Sequence, residues 1–282
     1  MYYTRSTEHF AHHIALPQAP RTIKTFSDGE LYVKIEQEIQ STEDIWILTS
    51  TEPPATNLLE LFFLLDALTN RGAERIHLFF SYFGYARQSI AQPGEAHSTE
   101  LISKILKTFP IYKTYILHAH AAAKLAESLP FTNVIDNKFF CSIAKNYDVI
   151  AAPDAGAAPF ATAIATTCHK EVAFLQKMRP EHDQVRIESV DGAVSGKRVL
   201  LVDDIISTGH TLIQAAHALT KLGATEIAAA ATHGIFAPGS LERLAESPLT
   251  TIYVTNAPQR NPTKKIHIYD VSSFIESTIL AS

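Results

Sequence analysis

The chain has 282 residues, 46% of them hydrophobic, and a net charge of −5. That is enough apolar material for one large core or two ordinary ones. The mild acidity excludes a globally basic nucleic-acid surface, so any phosphate must be held by local loops and a few cations.

From the N-terminus, MYYTRSTEHFAHHIALPQAP has no continuous apolar run, which predicts no signal peptide. The 44–50 stretch DIWILTS predicts a strand. Helical spacing follows over 57–72, with Asn57 near the start and Gly72 as the stop. Its oily part, LLELFFLLDAL at 58–68, carries Glu60 and Asp66 and is too short to cross a bilayer. Further strands are predicted at 75–83 and 113–118, and helices at 98–109 and 121–129. The second half repeats the rhythm, with strands at 148–154, 171–177, 198–204, 226–233 and 251–255 and helices at 157–168 and 211–223. The two cysteines, Cys141 and Cys168, form no CxxC pair and read as buried thiols of a reduced compartment. Together these features predict a cytoplasmic protein with no membrane and no nucleic-acid partner.

Strands alternating with helices imply an α/β chain whose mainly parallel sheets carry helices on both faces. Two runs of ordinary domain size are expected, 1–140 and 141–265, with 266–282 as a tail able to return to the first.

Residues 199–211 read VLLVDDIISTGHT. In open α/β sheets, ligands sit outside the carboxyl ends of the strands, which is where this run delivers Asp203 and Asp204. Adjacent carboxylates repel, so a metal ion or the hydroxyls of a ribose diol must offset them. Backbone amides at the next helix start, with the hydroxyls of Ser207, Thr208 and Thr211, suit a phosphate. Acids for sugar hydroxyls followed by amides for a phosphate describe a ribose 5-phosphate site.

This stretch resembles the PRPP loop of type I phosphoribosyltransferases and of ribose-phosphate pyrophosphokinases, the PRPP synthetases. FSDGELYVKI (26–35), YFGYARQ (82–88), LHAH (117–120), APDAGA (152–157), LQKMR (175–179), THGIF (232–236) and TIYVTNA (251–257) are similar to segments of the synthetases, in the same order. The resemblance implies two phosphoribosyltransferase-like domains, the first for ATP and the second for ribose 5-phosphate. It implies transfer of the β,γ-diphosphoryl group of ATP to the sugar, giving PRPP and AMP. It gives Phe26, Asp28, Gly29, Glu30, Arg87 and Gln88 to ATP, with Phe26 stacking on adenine. It gives His118 and Asp154 to Mg²⁺, and Lys177 and Arg179 to catalysis. Arg179, Asp203, Asp204, Ser207, Thr208, Gly209, His210 and Thr211 fall to ribose 5-phosphate. It also implies a homodimer or hexamer in which the FSDGE segment serves a neighbouring subunit. The segment after Arg179, PEHDQV, reads as a mobile loop.

Departures from the family pattern are Ser89 for an acid, Ile116 for an aspartate, Ala157 and Phe160 for a glycine and an arginine, and His210 for a glycine. Two other readings stand beside the synthetase. A non-catalytic regulatory paralogue would be expected to lose the lysine or the metal residues, and a phosphoribosyltransferase would consume PRPP rather than make it.

Overall fold

The computed structural model describes the chain except residues 88–91, 179–185 and 259, and except the side chains at 177–178 and 186–188. Two compact units are present, one of residues 1–135, 257–258 and 271–282, the other of 136–256 and 260–270.

The first unit opens with β1 (Tyr2–Tyr3) and the short helix α1 (Glu8–Ala11). An antiparallel hairpin of β2 (Thr22–Thr25) and β3 (Leu31–Lys34) follows. Then come β4 (Asp44–Ser50), α2 (Thr56–Asn70), β5 (Arg75–Tyr82), α3 (Ser98–Leu106), β6 (Ile111–Leu117), α4 (Ala122–Ala126) and β7 (Thr132–Val134). The sheet order is β1-β4-β5-β6-β7, and every neighbouring pair is parallel.

The period of two along each strand sorts its residues to two cores. Ile45, Ile47, Ile76, Leu78, Phe80 and Ile116 pack with Leu61, Leu64 and Leu68 of α2. Leu48, Phe79, Tyr115 and Leu117 pack with Phe10 and, from the end of the chain, Ile275 and Ile279.

The second unit holds α5 (Asn137–Ala144), β8 (Val149–Ala152), α6 (Ala158–Cys168), β9 (Glu171–Met178), β10 (Arg186–Asp191), β11 (Arg198–Ile206) and α7 (His210–Lys221). It continues through β12 (Glu226–Gly234), α8 (Ser240–Glu246), β13 (Thr251–Thr255) and β14 (Ile266–Tyr269); α9 (Ser272–Leu280) then belongs to the first unit. The sheet order is β10-β9-β8-β11-β12-β13-β14. Among the described strands of this sheet, only the edge strand β10 runs antiparallel to its neighbour. Helix α7 covers one face through Leu212, Ala215, Ala216 and Leu219. Helix α6 lies on β8, β9 and β11.

The predicted free thiols need correction. Cys141 on α5 and Cys168 at the end of α6 form a disulfide, with their Cα atoms 5.2 Å apart. The two helices pack side by side, which brings cysteines 27 positions apart into bonding range. No helix among the described residues is long and apolar enough to cross a membrane.

The chain leaving β5 is pinned to the end of β4. The Gly84 N–H donates to the Thr51 hydroxyl at 2.8 Å, and Thr51 N–H donates to the Tyr82 carbonyl at 3.0 Å. A Cβ on Gly84 would lie 2.1 Å from the Thr51 carbonyl oxygen. Gly84→Ala is therefore expected to push the 83–87 segment off β4 and destabilise the protein by roughly 1–3 kcal/mol, read from urea unfolding. An unchanged unfolding midpoint would contradict this packing.

Candidate functional site

The sequence places the end of β11 at Asp204, but the strand continues for two residues. Ile205 pairs with His233 and Ile206 with Gly234 of β12. The two acids therefore sit on regular strand backbone, and Asp204 N–H donates to the Asp203 carboxylate at 2.9 Å. Burial pushes the Asp203 carboxyl up to about 7, and the charges of Asp204 and Asp154 add to the shift. Asp154 follows β8, the parallel neighbour of β11. Asp204 and Asp154 thus lie close enough at this sheet edge to oppose the ionisation of Asp203.

After Ile206 the chain turns through Ser207, Thr208 and Gly209 into α7. Gly209 is left-handed, with φ 75°, and a Cβ there would lie 2.8 Å from the Leu244 side chain of α8. His210 opens α7 and its N–H donates weakly to the Thr208 hydroxyl at 3.4 Å. The first turn of any helix carries N–H groups with no intrahelical partner, and its dipole favours an anion there. Thr211 lies in that turn.

Asp154 shapes a second turn. Its Oδ1 accepts the N–H groups of Gly156 at 3.1 Å and Ala157 at 3.2 Å, which fixes the carboxylate just before α6. Lys177 lies on β9 opposite Ile187 of β10. Its side chain, and the whole of Gln88, Ser89, Arg179 and the predicted loop 180–185, lie outside the described residues.

In the first unit, Phe26 to Glu30 form the tip of the β2–β3 hairpin. Phe26 N–H donates to the Glu30 carbonyl at 2.8 Å, Gly29 N–H to the Phe26 carbonyl at 3.0 Å, and Glu30 N–H to the Asp28 carboxylate at 3.1 Å. Gly29 adopts φ 95°, which the turn needs. The Phe26 ring is 44% exposed, so a flat apolar face is presented to solvent. Lys24 Nζ lies 5.0 Å from the centre of that ring. Arg87 is exposed beyond β5.

His118 directly follows β6 and is buried. Its backbone is held at φ 41°, and Ala121 follows at φ 47°. Left-handed backbone at a non-glycine residue costs on the order of 1–3 kcal/mol and concentrates at functional turns. The N–H groups of His118 and Ala119 hold this turn, donating to the Val134 carbonyl and the Asn133 side chain, each at 2.8 Å.

The second unit thus brings Asp154, Asp203, Asp204 and the 207–211 turn to one sheet edge, and the first unit holds the hairpin tip, Arg87 and His118. Sequence reasoning missed Arg243 and Leu244, which contact Thr208 and Gly209 from α8. No motif marks them, because a helix separated from the turn by a whole strand leaves no local spacing to read.

Among the described residues, no three His, Cys, Asp or Glu side chains are grouped to hold a metal ion. A cation at this edge would take few protein ligands and fill its shell with water and phosphate oxygens. The donor set fits such an ion, because carboxylate oxygens brought together at one sheet edge are what a hard divalent cation binds.

The N-terminal domain of ribose phosphate pyrophosphokinase matches residues 4–109, and the phosphoribosyl transferase domain matches residues 113–256. A ribose-phosphate pyrophosphokinase of Caldanaerobacter subterraneus is 30% identical over 280 residues, covering 96% of this chain and 89% of that one. One from Pyrococcus abyssi is 36% identical over 83% of this chain and 82% of its own length. The chain belongs to the ribose-phosphate pyrophosphokinase family. The crystal structure of phosphoribosylpyrophosphate synthetase from Mycobacterium smegmatis superposes with a TM-score of 0.87 at 26% identity, covering 99% of this chain and 97% of that one. The two-domain α/β architecture expected from the sequence is therefore the family's own.

The Asp203 shift has a measurable sign. Its carboxyl holds a proton up to about pH 7 when folded, against an ordinary value of 3.8. The stabilising contribution is complete at pH values below 3.8 and is lost as pH rises from there through 7. Asp203→Asn is expected to leave unliganded stability unchanged at pH 4 and raise it on the order of 3 kcal/mol at pH 8. Urea unfolding at both pH values tests this, and equal stability at pH 8 would remove the proposed charge crowding.

Proposed function

We propose that this chain is an ATP-dependent ribose-phosphate diphosphokinase of the cytoplasm. The anomeric hydroxyl oxygen of ribose 5-phosphate attacks the β-phosphorus of ATP. The bond from that phosphorus to the α,β-bridging oxygen breaks, the hydroxyl proton is lost to solvent, and PRPP and AMP result. The observation that carries the reading is the Asp203–Thr211 turn, with crowded acids directly before an amide-rich helix start, in a chain that aligns with named pyrophosphokinases over most of its length.

Each group has a task in this reading. Asp203 and Asp204 accept hydrogen bonds from the ribose diol, and Ser207 to Thr211 hold the 5-phosphate. Phe26 stacks on adenine, while Asp28 and Glu30 accept from its amino group and Gly29 permits the tight turn. Arg87 and Gln88 reach the nucleotide. Lys177 and Arg179 stabilise charge on the transferring group, since such transfer is mostly positioning plus electrostatics. His118 and Asp154 are each proposed as ligands of Mg²⁺. When bound, the ion neutralises phosphate charge and makes the β-phosphorus more electrophilic. A homodimer or hexamer is proposed, with no nucleic-acid or membrane partner.

Incubation with ATP, Mg²⁺ and ribose 5-phosphate should give AMP and PRPP by phosphorus NMR. Pyrophosphate release from PRPP and a nucleobase, with no AMP from the first mixture, would instead mark a phosphoribosyltransferase. Lys177→Ala should lower kcat by about 10²–10³ with its fold intact by circular dichroism. Near wild-type turnover would strip Lys177 of its role.

A further inference from the structure

The turn between β11 and α7 is held from outside as well as by its own His210–Thr208 contact. Its three successive carbonyls are bound by the segment that runs from the end of β12 into α8. The Ile206 carbonyl accepts the N–H groups of Ile235 at 2.9 Å and Phe236 at 3.1 Å. Ala237 N–H donates to the Ser207 carbonyl at 3.1 Å. The third contact comes from a side chain, as Arg243 Nη2 donates to the Thr208 carbonyl at 3.4 Å.

Within one trans peptide, the C=O and the following N–H point in opposite directions. Only Pro53–Pro54 and Ala257–Pro258 are cis among the described peptides, so all three of these are trans. Drawing the carbonyls of 206, 207 and 208 toward the 235–243 segment therefore turns the N–H groups of Ser207, Thr208 and Gly209 to the opposite side. Successive N–H groups aimed one way form a concave anion site.

One further contact binds α8 to this turn, and another places the Arg243 guanidinium at the start of its own helix. Leu244 packs where a Cβ on Gly209 would sit, and Gly239, at φ 75°, leaves the Arg243 guanidinium close to its backbone, 3.1 Å from where a Cβ would be. The first two carbonyls are held by backbone groups, whereas the third depends on one long side chain at an exposed position.

The geometry points to Arg243 as a positioning residue for the sugar phosphate: it orients the Thr208–Gly209 peptide so that the Gly209 N–H faces the 5-phosphate, and it adds a cation behind the turn. This rests on the reading of the 207–211 turn as the ribose 5-phosphate site.

Arg243→Met and Arg243→Lys test it. KM is measured for ribose 5-phosphate and for ATP in turn, and ribose 5-phosphate is titrated calorimetrically into each protein without nucleotide. Arg243→Met is expected to raise KM and Kd for ribose 5-phosphate by about 3- to 10-fold, with kcat, KM for ATP and thermal midpoint unchanged. Arg243→Lys keeps the charge but loses the fork that fits a carbonyl, and should fall between the two. A methionine variant with the wild-type KM and Kd for ribose 5-phosphate would overturn the assignment. So would one in which both KM values and the thermal midpoint shift together. A wild-type protein that neither makes PRPP nor binds ribose 5-phosphate would remove the reading of the turn itself, and Arg243 with it.

Discussion

Everything at the second unit's carboxyl edge follows from one electrostatic conflict. β11 carries two acids onto ordered backbone beside a third acid after β8, and burial then raises the cost of charging Asp203. A fold optimised for stability alone would not keep that arrangement. It becomes favourable when a partner arrives with hydroxyl donors or positive charge, so the unliganded protein stores an affinity for such a partner. The helix start after the acids has the complementary preference, since the dipole of α7 favours an anion there. A sugar phosphate with a diol at one end and a phosphate at the other satisfies both within one molecule.

The alternation of apolar residues made the central strands legible. Ile45, Ile47 and Leu48, or Ile76, Leu78 and Phe79, split cleanly between two faces, so strand character and burial point the same way. Paired acids before a Ser-Thr-Gly turn were equally legible, because the chemistry is local in sequence. Elements set by distant partners were not. β10 is polar and β14 only four residues long, so neither stood out, and both exist through pairing with β9 and β13. The β2–β3 hairpin had no strand reading in the sequence, where its tip stood out only by resemblance. The disulfide was misread because helix packing, not spacing, brings Cys141 to Cys168. The end of β11 was placed two residues early, since Asp203 and Asp204 look like strand-ending residues until β12 is there to pair with Ile205 and Ile206.

The site residues divide along the same line. His118 is proposed through resemblance, and what the backbone shows is its setting: it stands at positive φ, with neighbouring N–H groups tied to β7 and Asn133. Asp154 likewise does more than project a carboxylate. By accepting two backbone N–H groups it fixes its own orientation. Arg243 had no signature at all, since its partner is a carbonyl oxygen and any residue can supply one.

The first unit is discontinuous in sequence. Phe10 and Phe79 share a core with Ile275 and Ile279, and the whole second unit lies between them in the chain. During synthesis, the earliest strands leave the ribosome long before α9 exists to cover them. β14 completes the second unit's sheet only just before α9 begins, so the two units wait on the same stretch of chain to be finished.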